Sequence, residues 1–289
     1  RDGAKAEDPM LPSAPDDDVI QLYTSGTTGH PKGVQITNAN YISIFEQGAG
    51  AGWADWRPED VVLVCMPLFH VAGVNIGVLG NLHGCRNVIL KDIDPQEILK
   101  LIESEKLSIA FMVPAVILFL LQQPNLASTD VSSLRQIIYG ASPIAEDVLR
   151  QAQKAFADAD FVQVYGLTET TGGATYLPPD AHDPARGKLR SCGLPNPGME
   201  VRVVDETGKA VAPGAVGEIV IRGGSIMKSY WNRPDATADS VRDGWFYTGD
   251  AGFFDDDGFL FIHDRVKDMI VSGGENIYPA EVENALFGH

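Results

Sequence analysis

Between residues 22 and 34 the sequence reads LYTSGTTGHPKGV, with three glycines, four hydroxyl side chains besides Tyr23, and one cation, Lys32. Glycines let backbone N–H groups approach an anion closely, hydroxyls add donors, and lysine supplies a mobile point charge. Thr24, Ser25, Gly26, Thr27, Thr28 and Lys32 are therefore candidates for holding a polyphosphate. The common nucleotide loop G-x-x-x-x-G-K-[ST] does not fit: counted from Gly26, the second glycine falls on Pro31 and Gly33 follows the lysine. A flexible surface loop has the same composition.

Five further stretches carry candidate chemistry. QVYGLTET (163–170) ends a strand with Tyr165, which can stack on a base, and Glu169, a hard oxygen ligand for Mg2+. GASP (140–143) lies at another strand end; YTGD (247–250) offers Asp250 to a pair of ribose hydroxyls. DRVKDMIVSGGENIYP (264–279) has the makings of a joint, and MPLFHVAG (66–73) sets His70 beside Phe69. Taken singly, each has a plainer explanation: a polar turn, a helix cap, a closed turn, a surface loop, a packed histidine. DDDG (255–258) lacks the spacing of a calcium loop and suits a hairpin turn, and His182 has no second histidine at ligand spacing.

The elements that must position these residues alternate from about residue 19 to 166. Near-continuous apolar runs (VIQLY, DVVLVCMPL, SIAFMV, LRQIIYG, FVQVYG) are separated by helical stretches. A helix begins near Asn40, a second is capped by Asp94 with Pro95 at its first position, and a third opens at Ser142–Pro143. This pattern predicts an α/β fold, a mainly parallel sheet with flanking helices. After about residue 187 period-two strands and glycine turns predict a β-rich, barrel-like lobe. The expected organisation is a linker or cut end at 1–18, an α/β lobe with the phosphate loop at 19–186, a β-rich lobe at 187–265, and a hinge with the start of a truncated domain at 266–289. VENALFGH reads as a helix cut short.

The chain has 289 residues, 44% of them hydrophobic, enough for a sizeable core. Its formal charge of −17 argues against nucleic acid as a partner. Cys65, Cys85 and Cys192 form no pair or ligand motif and point to a reducing, cytoplasmic setting. The most apolar window, SIAFMVPAVILFLLQQP, is divided by Pro114 and too short to span a bilayer.

In combination and order, YTSGTTGHPKG, GASP, YGLTET, GEIVIRG, WFYTGDAG and DRVKDMIVSGGENIYPAEVE resemble the adenylate-forming superfamily of acyl- and aryl-CoA synthetases, luciferases and adenylation domains. The resemblance implies the family's large-domain fold and an ATP-dependent carboxylate–CoA ligase that forms an acyl-adenylate and then a thioester. It implies ATP, Mg2+ and CoA as ligands. Thr24–Thr28 and Lys32 would bind the ATP phosphates, and Gly140, Ala141, Ser142, Gln163, Tyr165 and Gly166 would form the adenylate pocket. Thr168 would contact the α-phosphate, Glu169 the Mg2+ together with Thr24, and Asp250 and Arg265 the ribose. Lys267 would be the hinge and His70 would lie by the acyl site. Amino-acid substrates are excluded, because residues 66 to 90 offer no acidic partner for an ammonium. A fatty acid is favoured over an aryl acid; a carrier-protein-loading enzyme, a non-catalytic nucleotide-binding fragment and a homo-oligomer are the alternatives kept open. The resemblance also implies a downstream catalytic lysine that is not in the sequence, so poor activity of the piece by itself is expected.

Overall fold

The computed structural model describes residues 10–24, 30–265, 270–272 and 275–277. Ser25, Gly26, Thr27 and Thr28, Lys267, the chain ahead of Met10 and the helix expected over 282–289 lie outside the described residues.

An antiparallel hairpin comes first, β1 (Asp18–Thr24) against β2 (Lys32–Thr37), with Thr24 opposite Lys32. This corrects the expectation that VIQLY belongs to the parallel series. Its connection, residues 25–31, is shorter than the dozen or so residues a parallel crossover needs. Thr37 then caps α1 (Asn38–Gly50): Asn40 N–H donates to Thr37 Oγ1 at 3.3 Å and Thr37 N–H returns a bond to Asn40 Oδ1 at 3.0 Å.

From here the predicted alternation holds. β3 (Val61–Val64), α2 (Val71–Leu82), β4 (Arg86–Ile89), α3 (Pro95–Glu105), β5 (Ile109–Met112) and α4 (Pro114–Leu121) follow in turn. After them come β6 (Gln136–Gly140), α5 (Glu146–Ala155) and β7 (Asp160–Tyr165). The cap predicted at Asp94 is present, accepting from Gln96 N–H at 2.9 Å and Glu97 N–H at 3.4 Å. α5 starts later than expected. Ala141, at φ 67°, turns the chain out of β6, and Ser142 and Pro143 stay exposed before Ala145 takes the cap position. Glu146 and Asp147 face the helix N-terminus instead of a side-chain cap.

β8 (Thr175–Leu177) and β9 (Leu194–Pro195) complete a seven-stranded sheet of order β4-β3-β5-β6-β7-β8-β9, parallel through β7 and antiparallel beyond. Its core includes Leu63, Ile98, Ile109, Ile117, Tyr139 and Phe156, all essentially sealed from solvent. The later half forms an antiparallel, curled sheet from β10 (Glu200–Val204), β11 (Gly217–Arg222), β13 (Val241–Arg242), β14 (Trp245–Phe254) and β15 (Leu260–Arg265). Between these, β12 (Ser229–Tyr230) leaves that sheet and pairs with β2, followed by α6 (Pro234–Ser240). A backbone hairpin of β16 (Ile270–Ser272) and β17 (Glu275–Ile277) comes last. DDDG is a turn between β14 and β15, as predicted.

Two polar networks fasten the large sheet. Asp60, just ahead of β3, accepts from Ser108 Oγ (2.8 Å), Arg57 N–H (2.8 Å), and Arg135 Nε (2.9 Å) and Nη2 (2.5 Å), tying together the starts of β3, β5 and β6. Burial raises the Asp60 carboxyl, but Arg135 and the other donors outweigh it and leave it below the usual range. Replacing Arg135 by Ala strands a buried carboxylate and is expected to cost about 3 kcal/mol of stability, measurable by urea denaturation.

His182 is buried, its Nδ1 2.9 Å from Pro178 O and its Nε2 3.0 Å from the Tyr139 hydroxyl. Burial lowers its pKa to about 4. The unfolded chain takes up this proton near pH 6.5 and the folded one only near 4, so stability is whole above 6.5 and falls as the pH drops towards 4. The loss over that window is expected to be about 3 kcal/mol. A His182→Gln variant, though weaker at neutral pH, should show a pH slope shallower by about one proton.

Candidate active site

Four residues from distant parts of the sequence meet where β1, β2 and β12 approach the loop after β7. Thr24 Oγ1 donates to Glu169 Oε1 at 3.3 Å, and the Tyr230 hydroxyl donates to the same oxygen at 2.8 Å. Lys32 Nζ lies 4.2 Å from the centre of the Tyr230 ring, within cation–π range. Burial, then the Glu169 charge, pushes the Tyr230 phenol well up, so it stays a donor. Glu169 is itself 7% exposed, and both of these hydrogen bonds fall on Oε1.

The backbone around Glu169 is held from several sides. Thr170 Oγ1 accepts from Leu167 N–H at 2.9 Å, Thr171 takes φ 54°, and Thr171 Oγ1 donates to Ser225 O at 2.7 Å. Met227 N–H donates to Glu169 O at 2.8 Å. The segment 224–231 is in turn sewn to the first hairpin and α1: Asn40 Nδ2 lies 2.8 Å from both Gly224 O and Ile226 O, and Trp231 N–H donates to Gly33 O at 2.7 Å. Lys32 and Tyr230 thus share one small antiparallel sheet whose position relative to Glu169 is fixed. Thr168 is half-buried in the same short turn.

A second group forms where β7 meets β14. The Tyr165 hydroxyl donates to Asp250 Oδ2 at 2.8 Å, both residues being buried. Burial and the Asp250 charge raise the Tyr165 phenol. Asp250 N–H donates to Thr248 Oγ1 at 3.0 Å, and Asp250 is paired in register with Arg265 along β15. Gln163, two residues before Tyr165, is nine-tenths buried, and among the described residues its Oε1 has no donor. An exocyclic amine is the kind of group that satisfies such an acceptor.

Two of the glycines stand where the backbone packs closely. A Cβ on Gly140 would fall 2.1 Å from Val164 O, and one on Gly166 2.6 Å from Gly173 N. Close strand and loop packing demands them. Ala141 and Ser142 are exposed beside them. His70 is exposed at the N-cap position of α2, its ring 4.6 Å from that of Phe69, and its side chain makes no cap hydrogen bond among the described residues.

Next to Ala141 and Gly166 opens an apolar cavity of about 90 Å3. Val71, Ala72, Ile76 and Leu79 on α2 and Phe111 on β5 border it; His70, expected by the acyl site, does not. Its other walls are Ile44, Phe45 and Gly48 of α1 with Trp53 and Ala54. Nothing in the sequence separates these from ordinary core. Among the described residues, no charged side chain borders the cavity and no cluster of three metal-ligating side chains occurs.

The profile of the AMP-binding enzymes matches residues 2–231. The chain belongs to the AMP-binding enzyme family. Among the family's curated members, the fatty acid–[acyl-carrier-protein] ligase ScoC of Streptomyces coeruleorubidus is 42% identical over 277 residues, covering 95% of this chain and 53% of that protein. A feruloyl-CoA synthase of Amycolatopsis sp. is 40% identical, covering 100% and 57%. Among solved structures of AMP-binding enzymes, the O-succinylbenzoate CoA synthetase of Bacillus subtilis in complex with AMP superposes with a TM-score of 0.85 at 34% identity, covering 96% of this chain and 55% of that one. The chain spans about half the length of the curated relatives it matches.

Proposed function

We propose that this chain holds the ATP- and acid-binding site of an adenylate-forming ligase, which joins an uncharged, apolar carboxylic acid to AMP and then to a thiol. One observation carries the reading: the Thr24 hydroxyl, the Glu169 carboxylate and the Lys32 ammonium are joined through Tyr230, and Gly166 and Gly172, on either side of the Glu169 turn, line an apolar cavity. In this reading Lys32 binds the phosphates together with Ser25, Gly26, Thr27 and Thr28. Thr24 and Glu169 present hard oxygen donors for Mg2+, an ion that keeps most of its waters and needs only one or two protein ligands plus phosphate. Bound there, Mg2+ offsets phosphate charge. Gln163 accepts from the adenine amine, and Tyr165 and Asp250 hold the base and ribose. The acid lies in the cavity with its carboxylate beside Ala141 and Gly166, which line it.

The carboxylate oxygen attacks the α-phosphorus and pyrophosphate leaves. A thiol then attacks the acyl carbonyl and AMP leaves. The first step gathers negative charge, so cationic positioning by Lys32 supplies much of the rate, and no protein nucleophile is required. The acceptor thiol is that of CoA, in a cytoplasmic enzyme. The similarity to ScoC favours a carrier-protein thiol as the second reading. The test is AMP formation by the full-length protein with an acid panel, with CoA or a carrier protein as acceptor. Acid-dependent AMP release with either thiol supports the reading; AMP release indifferent to the acid would refute it.

A further inference from the structure

β11 and β14 pair in two stretches whose registers differ. Between the pairs Glu218–Ala251 and Val220–Tyr247, the residues Thr248, Gly249 and Asp250 together stand opposite the single residue Ile219. A bulge of this kind bends the longer strand, re-aims its side chains and takes backbone groups out of the ladder. Gly249 has φ 74°, in the left-handed region, although a Cβ there would meet nothing within 4 Å. The turn of the backbone calls for glycine at this point; crowding does not.

Side chains stand in for the interrupted ladder. Glu218 Oε1 accepts from Gly249 N–H at 3.0 Å. Thr248 Oγ1 donates to Ile219 O at 2.7 Å and accepts from Asp250 N–H at 3.0 Å. Asp250 is thus held at both ends, its backbone by the bulge and its carboxylate by the Tyr165 hydroxyl at 2.8 Å. Of the bonds within the bulge, the one to Glu218 sets a carboxylate on a backbone amide, the stronger, charge-assisted kind. Glu218 belongs to the GEIVIRG stretch, whose other side chains make an ordinary core strand.

We propose that Glu218 is a positioning residue for the nucleotide: it braces the bulge in β14 that turns Asp250 towards Tyr165, and so sets how well the ribose hydroxyls are held. The inference rests on the reading of Asp250 as the ribose partner and deepens it. Glu218 acts through the Gly249 amide and not on the nucleotide, so its removal loosens one contact of the substrate and leaves the others.

The test is acid-dependent adenylate formation by the full-length protein with ATP and with 2′,3′-dideoxy-ATP, which lacks both hydroxyls. The wild type is expected to prefer ATP by about a hundredfold in kcat/KM, the worth of hydrogen bonds to a charged group. Glu218→Ala is expected to raise the KM for ATP about tenfold, with kcat within about threefold, and to leave dideoxy-ATP nearly unaffected. The preference therefore shrinks about tenfold, which general damage to the sheet would not do. Glu218→Gln keeps an oxygen to accept from Gly249 N–H and should keep the wild-type preference. Glu218→Met fills the same space without that acceptor and reads the effect if Glu218→Ala does not fold. An equal loss with both nucleotides, or an unchanged preference in either folded variant, would overturn the inference and leave the ligase reading intact. A wild type that uses both nucleotides alike would overturn the ribose role of Asp250 as well, and no acid-dependent adenylate at all would overturn the ligase reading.

Discussion

Glu169→Gln in the full-length enzyme is expected to slow acyl-adenylate formation at least about a hundredfold with little change in melting temperature. The amide oxygen still accepts from Tyr230 and Thr24, and the backbone bond from Met227 N–H to Glu169 O is untouched, so the local fold persists. What goes is the negative charge and the oxygen donor that Oε2 supplies. The defect should therefore shift with Mg2+ concentration, whereas a packing defect would not. A variant within about threefold of the wild-type rate would remove Glu169 from the site.

Lys32→Ala should raise the KM for ATP and lower kcat, together about a hundredfold or more in kcat/KM, because a cation aimed at phosphate in a partly dry site is worth several kcal/mol in the transition state. Lys32 stands over the Tyr230 ring, whose hydroxyl bonds Glu169, so its head group is held in the neighbourhood of Glu169. Lys32→Arg keeps the charge over the ring but spreads it over a planar fork and should restore activity only in part. Loss confined to the KM of the acid would contradict this placement.

Much of the architecture was legible because it is repetitive. Runs such as SIAFMV and LRQIIYG are apolar on both faces, the mark of buried parallel strands, and the Asp94–Pro95 start is written in local hydrogen-bonding chemistry. The site was legible only in its halves. Glu169 and Thr24 could each be suspected from residue type, but Tyr230, which joins Glu169 to Lys32, sits in a two-residue strand paired across the chain with Val34. Two residues have no periodicity, and their partner is set by tertiary packing. The same holds for the cavity, whose walls on α1 look like any apolar helix face until Trp53 folds over Gly48. Ser142–Pro143 misled in the other direction: a good helix start in sequence gives way because Ala141 turns the chain first.

The most direct measurement is isotope exchange between pyrophosphate and ATP catalysed by the full-length protein, with and without an apolar carboxylic acid. Reversible adenylate formation at this site predicts rapid exchange only when acid and Mg2+ are present, abolished by Lys32→Ala. Exchange that proceeds equally without acid, or that survives Lys32→Ala unchanged, would contradict the account.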